Sequence, residues 1–231
     1  MSTKILSVGG SIVAPEYPDT EFVKEFVKMI KDYLSNNKDD KLILVIGGGG
    51  PARIYQKAFR EVAEISETSE VDAADWIGIM ATRLNAQFIK ASFGELCQND
   101  VVTDPTIPLT FSGRILLAAG WKPGFSTDND AVLLAEKFNA DTVVNLSNIE
   151  KVYTDDPRKN PNAKPLDEIS WEDFRKMVGD EWVPGKNCPF DPIASKKAQE
   201  LKLTVICAGG KNIKNTLAIL EGKPYIGTTI K

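Results

Sequence analysis

The sequence predicts an α/β sandwich built on a mostly parallel sheet. Two observations carry that expectation. Short apolar runs alternate with longer segments of helical period, which is the pattern of βαβ units. Several of these runs also end in turns rich in Gly, Ser or Thr, as strands do where they hand over to helices.

Taken in order, Lys4–Val8 reads as a buried strand ending in Gly9-Gly10-Ser11. Glu21–Leu34 then puts Phe22, Phe26, Met29, Ile30 and Tyr33 at helical spacing, and Ser35-Asn36-Asn37 closes that helix. Leu42–Ile46 is a second strand, followed by a run of glycines and a helix over Pro51–Ala63. A long helix over about Val71–Ser92 carries Trp76, Ile79, Met80, Leu84, Phe88 and Ile89 on one face, a stripe that reads as core or subunit interface. Strands at Ile115–Ala119, Thr142–Leu146 and Leu203–Cys207 follow, with helices at Asp128–Phe138, Pro192–Leu201 and Ile213–Leu220. Ser147–Pro165, rich in Pro, Asp, Asn and Lys, is a loop leaving the C-terminal end of a strand, where open α/β sheets place their ligands. The expected organisation is one domain over 1–231, with lobes of about 1–140 and 141–231.

Composition narrows the chemistry. The 231 residues are 42% hydrophobic and 26% charged, an ordinary globular balance that excludes wholesale disorder. There is no histidine, which removes a Ser-His-Asp triad, a His-ligated zinc and a histidine proton shuttle. A net charge of −4, with no cluster of basic residues, argues against nucleic acid as a partner. Cys97, Cys188 and Cys207 are widely spaced with no CxxC pair, which fits a reducing cytosol. The opening MSTKILSVGGSIVA suits a strand and loop better than a signal peptide, and no apolar run is long enough to span a membrane. The expectation is a soluble, cytoplasmic protein with no membrane partner.

Four glycine-containing turns follow predicted strands: Gly9-Gly10-Ser11, Gly47 to Gly50, Gly120 to Thr127 (GWKPGFST), and Ala208-Gly209-Gly210. Glycine lets backbone amides approach an anion, and a following helix N-terminus adds partial positive charge. Any one of them also suits a plain tight turn; together on one sheet edge they would cradle several phosphates. No GxxxxGK[ST] P-loop is present. Gly47, Gly49 and Ala52 do satisfy GxGxxA, but the turn follows the second strand, and Asp72, about 20 residues on, falls in a helical pattern.

Arg53 falls just inside the helix after the tetraglycine, within reach of an anion there or simply solvated. Lys122 sits inside GWKPGFST, and Lys196 follows Asp191 in DPIASK. Asp128 and Asp191 stand at predicted helix starts, each a candidate N-cap and a candidate site carboxylate. Tyr153 and Asp156, in KVYTDDP, either meet a nucleoside or order a turn.

In this order and spacing, SVGGSIV, VIGGGGPARIY, DWIGIMATRLNA, GWKPGFSTDNDAVLLAE, LSNIEKVYTDDP, FDPIASKKA and a terminal GTTI resemble the amino-acid kinase superfamily, and within it the short archaeal-type uridylate kinases. The resemblance covers nearly the whole chain. It implies a three-layer α/β/α fold, with an acceptor-binding N-terminal lobe and an ATP-binding C-terminal lobe. It also implies transfer of the ATP γ-phosphoryl group to UMP, with Mg²⁺ held mainly by the ATP phosphates and no protein metal site.

Carried over motif by motif, Gly10, Ser11, Gly49, Arg53, Ser147, Tyr153 and Asp156 would bind ATP. Gly48, Asp75 and the run Trp121, Lys122, Pro123, Gly124, Phe125, Ser126 and Thr127 would bind UMP. Arg53, Asp128, Asp191 and Lys196 would serve the transfer itself. Ser7 stands where many members carry a lysine, which leaves the transfer-site cation open, and Trp121 with Asn129-Asp130 departs from the expected acceptor loop. The family also implies a homo-oligomer, a hexamer assembled as a trimer of dimers. The mechanism suits a chain without histidine, because the acceptor phosphate is already ionised near neutral pH and positioning with charge stabilisation supplies most of the catalysis. The alternatives are a non-catalytic nucleotide- or anion-binding protein on the same fold, such as a molybdate/tungstate storage protein, and a NAD-dependent oxidoreductase.

Overall fold

β1 (Thr3–Val8) is flanked by two parallel neighbours, β2 (Lys41–Ile46) and β4 (Thr142–Ser147). The structure is a computed structural model describing residues 3–64, 67–181 and 188–231. Outside β2 lies β3 (Ile115–Ala118); outside β4 lie β6 (Thr204–Gly209), β7 (Thr228–Ile230) and β5 (Glu168–Ile169). The seven-stranded order is β3-β2-β1-β4-β6-β7-β5, parallel except where β7 runs against β6. The chain winds outward from β1 to β3, then returns to the other side of β1. That reversal is a topological switch point, with the crevice at the C-terminal ends of β1, β2 and β4. Strands before residue 140 all lie on one side of the β1/β4 boundary and later strands on the other.

The strands are buried on both faces, and alternate residues feed two cores. Leu6, Val8, Leu42, Leu44 and Ile46 pack with α2 (Thr20–Asn36), α4 (Glu67–Phe93) and α8 (Ile213–Leu220). Ile5, Ile43 and Val45 pack with α5 (Thr127–Lys137), α6 (Trp171–Val178) and α7 (Pro192–Glu200) on the opposite face. This is the three-layer sandwich that the sequence predicts. Two further helices, α1 (Gly10–Val13) and α3 (Gly49–Val62), leave the glycine turns of β1 and β2.

Several elements depart from the expectation. The short α1, β5 and β7 carry too few residues to impose a readable period, and α6, which buries Trp171, Phe174 and Val178, is a further helix beyond the expected set. The long helix divides its apolar stripe. Ile79 and Ile89 are buried, whereas Trp76, Met80 and Leu84, spaced four apart, are 45%, 57% and 69% exposed. Along α3, Ile54, Tyr55 and Val62 are exposed as well, so α3 and this stretch of α4 present an apolar surface away from the sheet. Cys97 and Cys207 are buried free thiols, and Cys188 is half-buried. Among the described residues no helix is long and apolar enough to cross a membrane.

Candidate active site

The turns after β1 and β2 interlock through their backbones. A Cβ on Gly10 would lie 2.0 Å from the Gly49 nitrogen and 2.6 Å from the Gly48 nitrogen. Gly49 has φ +65°, and a Cβ there would meet the carbonyl oxygens of Ala14 and Gly10 at 2.3 Å. Only glycine fits this approach, and it brings the N-terminal ends of α1 and α3 together as a concentration of N–H dipoles. Asn85, buried on α4, fastens the second turn by donating its side-chain amide to the carbonyls of Gly47 (2.9 Å) and Gly48 (3.0 Å). Arg53, exposed on α3, donates from Nη2 to the Pro15 carbonyl at 3.0 Å, beside the same turns.

Ser147, at the end of β4, closes the third side. The Gly9 N–H donates to Leu146 O, the Gly210 N–H to Ser147 O, and the Ser147 hydroxyl accepts from the Ile149 N–H. The four glycine-containing turns therefore do share one edge of the sheet, since β1, β2, β3, β4 and β6 run parallel.

Asp128 stands in the first turn of α5. Ser7, buried at the end of β1, donates its hydroxyl to Asp128 Oδ1 at 2.9 Å, and the Asp191 N–H donates to Oδ2 at 3.3 Å. Burial, reinforced by the neighbouring Asp191 carboxylate, pushes Asp128 up to about 6 against the pull of Ser7. Asp191 is itself raised by burial. It caps α7 as predicted, its carboxylate accepting from the Ala194 N–H at 2.8 Å ahead of Pro192. Asp128 is not a cap. Ser126 holds that position on α5, its hydroxyl accepting from the Asn129 N–H, which frees the aspartate for contacts across the sheet.

The GWKPGFST segment lies between α4 and α5. Asp75, on α4, accepts from the Gly124 N–H at 3.0 Å, so the DWIG motif and this loop meet directly. The Trp121 and Phe125 rings sit 5.1 Å apart, with the exposed Lys122 ammonium 3.9 Å from the Trp121 centroid and 5.1 Å from that of Phe125. Asp130, buried on α5, accepts from the Trp121 N–H, and burial pushes its carboxyl up to about 7.

Not every candidate joins this cluster. Asp156 takes a bidentate bond from Arg158 inside its own turn, and Tyr153 pairs by backbone with Pro165, so in this conformation both order the loop after β4. Lys196 is exposed on α7, and among the described residues no ion pair ties it to Asp128 or Asp191. Asp72 lies inside α4, away from any strand end, so the dinucleotide pattern lacks its acidic partner. Sequence reasoning missed Thr82, Arg83 and Asn85. Polar residues at 82 and 85, on the face that buries Ile79, Ala86 and Ile89, were the available signal.

Glycine turns converging at a switch point, with carboxylates behind them and a separate aromatic loop opposite, describe a site for moving a phosphoryl group between two ligands. Residues 2–209 match the amino acid kinase family, and the chain belongs to that family. Its relatives within the family are uridylate kinases. The uridylate kinase of Pyrococcus abyssi is 34% identical, the match covering 98% of each chain. The crystal structure of the uridylate kinase from Archaeoglobus fulgidus is 31% identical and superposes with a TM-score of 0.83 over 100% of both chains. UMP kinase from Bacillus anthracis, 16% identical with a TM-score of 0.76 over 100% of this chain and 96% of its own, shares the fold. These matches give no support to the storage-protein alternative.

Proposed function

We propose that this chain is a UMP kinase, transferring the γ-phosphoryl group of ATP to UMP to give ADP and UDP, a step of pyrimidine nucleotide synthesis. The observation that carries the reading is the full-length match to uridylate kinases with Asp75 bonded to the GWKPGFST loop. Gly10, Ser11 and Gly49 would receive the ATP phosphates, with Ser147, Tyr153 and Asp156 toward the adenosine. Gly48, Asp75 and Trp121 to Thr127 would hold UMP, in an acceptor lobe of about 1–140 facing an ATP lobe of about 141–231. Arg53 stands beside both glycine turns, so exchanging Pro15 O for a phosphate needs only a local swing.

The transfer asks little covalent chemistry of the protein. The acceptor phosphate oxygen is already an anion, so the chain's task is to align it with the γ-phosphate and neutralise charge through amides and Arg53. Asp128 and Asp191 border that line. Lys196 would have to swing inward from solvent to take part. Among the described residues no group of three or more Asp, Glu, His or Cys is placed to hold a metal ion, which is compatible with Mg²⁺ carried on the ATP phosphates, where it would neutralise their charge.

The exposed apolar surface of α3 and α4 supports a homo-oligomer, with a hexamer built as a trimer of dimers as the expected state. Light scattering tests it, and a mass of 25.3 kDa, that of one chain, would overturn it. The free Cys97 and Cys207 thiols fit a cytoplasmic location. The function is tested by ADP release from ATP and Mg²⁺ with UMP, CMP, dUMP, acetylglutamate, aspartate or carbamate as acceptor. Strong turnover with UMP is expected, and turnover with none of them would sink the kinase reading.

A further inference from the structure

Asp130 is a costly residue for its place. It is 1% exposed, one carboxylate oxygen accepts the Trp121 N–H at 3.2 Å, and the other is buried with no partner among the described residues. A neutral asparagine could accept the same bond without burying a charge. The bond belongs to a larger arrangement at the point where β3 has ended and sheet hydrogen bonding stops. The Gly120 N–H donates to the Thr82 hydroxyl at 2.8 Å, and that hydroxyl, buried on α4, donates in turn to Ile79 O at 2.6 Å. Arg83 donates to Gly120 O at 3.3 Å and to Trp121 O at 3.0 Å. All four backbone polar groups of Gly120 and Trp121 are thus taken by side chains of α4 and α5.

We propose that Asp130 is a positioning residue for the phosphoryl acceptor: together with Thr82 and Arg83 it clamps Gly120 and Trp121, and so fixes the Trp121–Phe125–Lys122 face against the acceptor nucleotide. This deepens the UMP kinase reading and rests on it for the identity of the acceptor. Three charged groups act on the Asp130 carboxyl, namely Asp128 on α5, Asp104 after β3's edge bridge, and Arg83 on α4. Arg83 supplies the only positive charge among them.

The test compares Asp130→Ala, Asp130→Asn and wild type by two readouts. In hydrogen exchange read by mass spectrometry, the segment 119–127 of Asp130→Ala should exchange at least tenfold faster, while β6 and α8 keep wild-type rates. Asp130→Asn, which retains an oxygen for the Trp121 N–H, should stay near wild type. In steady-state kinetics Asp130→Ala should raise KM for UMP about tenfold or more and leave KM for ATP within twofold, with Asp130→Asn restoring KM for UMP to within about threefold. Unchanged exchange in Asp130→Ala, an equal rise in both KM values, or an Asp130→Asn variant as impaired as Asp130→Ala would overturn the proposal. Should Asp130→Ala fail to fold, Thr82→Val releases the adjoining Gly120 N–H and should loosen the same segment. Wild type inert toward UMP would sink the kinase reading alone, leaving the exchange experiment to decide the clamp.

Discussion

The two sides of the candidate site are built by opposite means. The turns after β1 and β2 hold each other by backbone contact, with Gly10 against Gly48 and Gly49 so close that no side-chain atom fits. The loop from Gly120 to Thr127 is held by side chains, through Thr82, Arg83, Asp130 and Asp75. Backbone contact is indifferent to pH and intolerant of a single added methyl group. Side-chain tethers tolerate bulk but carry charge, and the Asp130 carboxyl is buried to do it. The paired turns thus ask for geometry that only glycine allows, whereas the loop from Gly120 to Thr127 is adjusted by exchanging the residues that hold it.

The largest effect that would break this comparison is at Gly10. Gly10→Ala forces a methyl into the Gly49 nitrogen, and should cost on the order of 3 kcal/mol or more with at least a hundredfold loss of kcat/KM. Chemical denaturation and turnover check it. A variant with wild-type activity would show that the turns can part.

The next effect separates the two sides by pH. Asp128 and Asp130 have carboxyls raised to about 6 and about 7 from 3.8. The folded state therefore binds protons more tightly than the unfolded chain, and their contribution to stability is complete below about pH 4 and lost as pH rises through 6 and 7. At about 1.4 kcal/mol per unit, Asp130 alone should remove on the order of 3 kcal/mol between pH 5 and pH 8. Asp130→Asn should flatten that part of the slope in urea titrations. Asp19 and Asp104, whose carboxyls lie below the usual range, act only at lower pH and in the opposite sense. A wild-type stability that rises from pH 5 to pH 8 would contradict the burial of these two groups.

Charge on the cradle side rests on Arg53. Arg53→Ala should lower kcat/KM by roughly 10- to 100-fold, the worth of one charge-assisted phosphate contact, with thermal stability unchanged because the side chain is exposed. Unchanged kinetics would remove it from the transfer site. The smallest effect is at Gly124, which has φ +81° and open space around its missing Cβ. Gly124→Ala should cost only about 1 kcal/mol, from the left-handed backbone alone, and raise KM for UMP a few-fold. An effect as large as that at Gly10 would erase the distinction between the two regions.

Much of the fold was legible because it depends on local pattern. The apolar runs of β1, β2, β4 and β6 are buried on both faces, and the helices between them repeat at helical spacing. β7 and β5 were not legible: three and two residues carry no period, and they exist because β6 offers an edge to pair with. The site divides likewise. Gly10, Gly49 and Asp191 were found from their place in turns and at helix starts, and Asp75, inside α4, only through the resemblance of its DWIG motif. Asp128 was found too, as a candidate cap and a candidate site carboxylate, and Ser126 takes the cap. The Asp128 partner Ser7 lies 121 residues away in sequence, a contact no local pattern reports.

By itself the sequence determined the layered α/β class, the edge of the sheet where the glycine turns gather, and a chemistry that must proceed without histidine. Those follow from periodicity, from glycine's place after strands, and from composition, all of which are properties of neighbouring residues. Only the tertiary structure decided that Trp76, Met80 and Leu84 face outward, that Asp156 is spent on Arg158, and that Asp130, with Thr82 and Arg83, holds the backbone of Gly120 and Trp121. Each of these turns on which groups the winding of the sheet brings within about 3 Å, where a hydrogen bond either forms or does not.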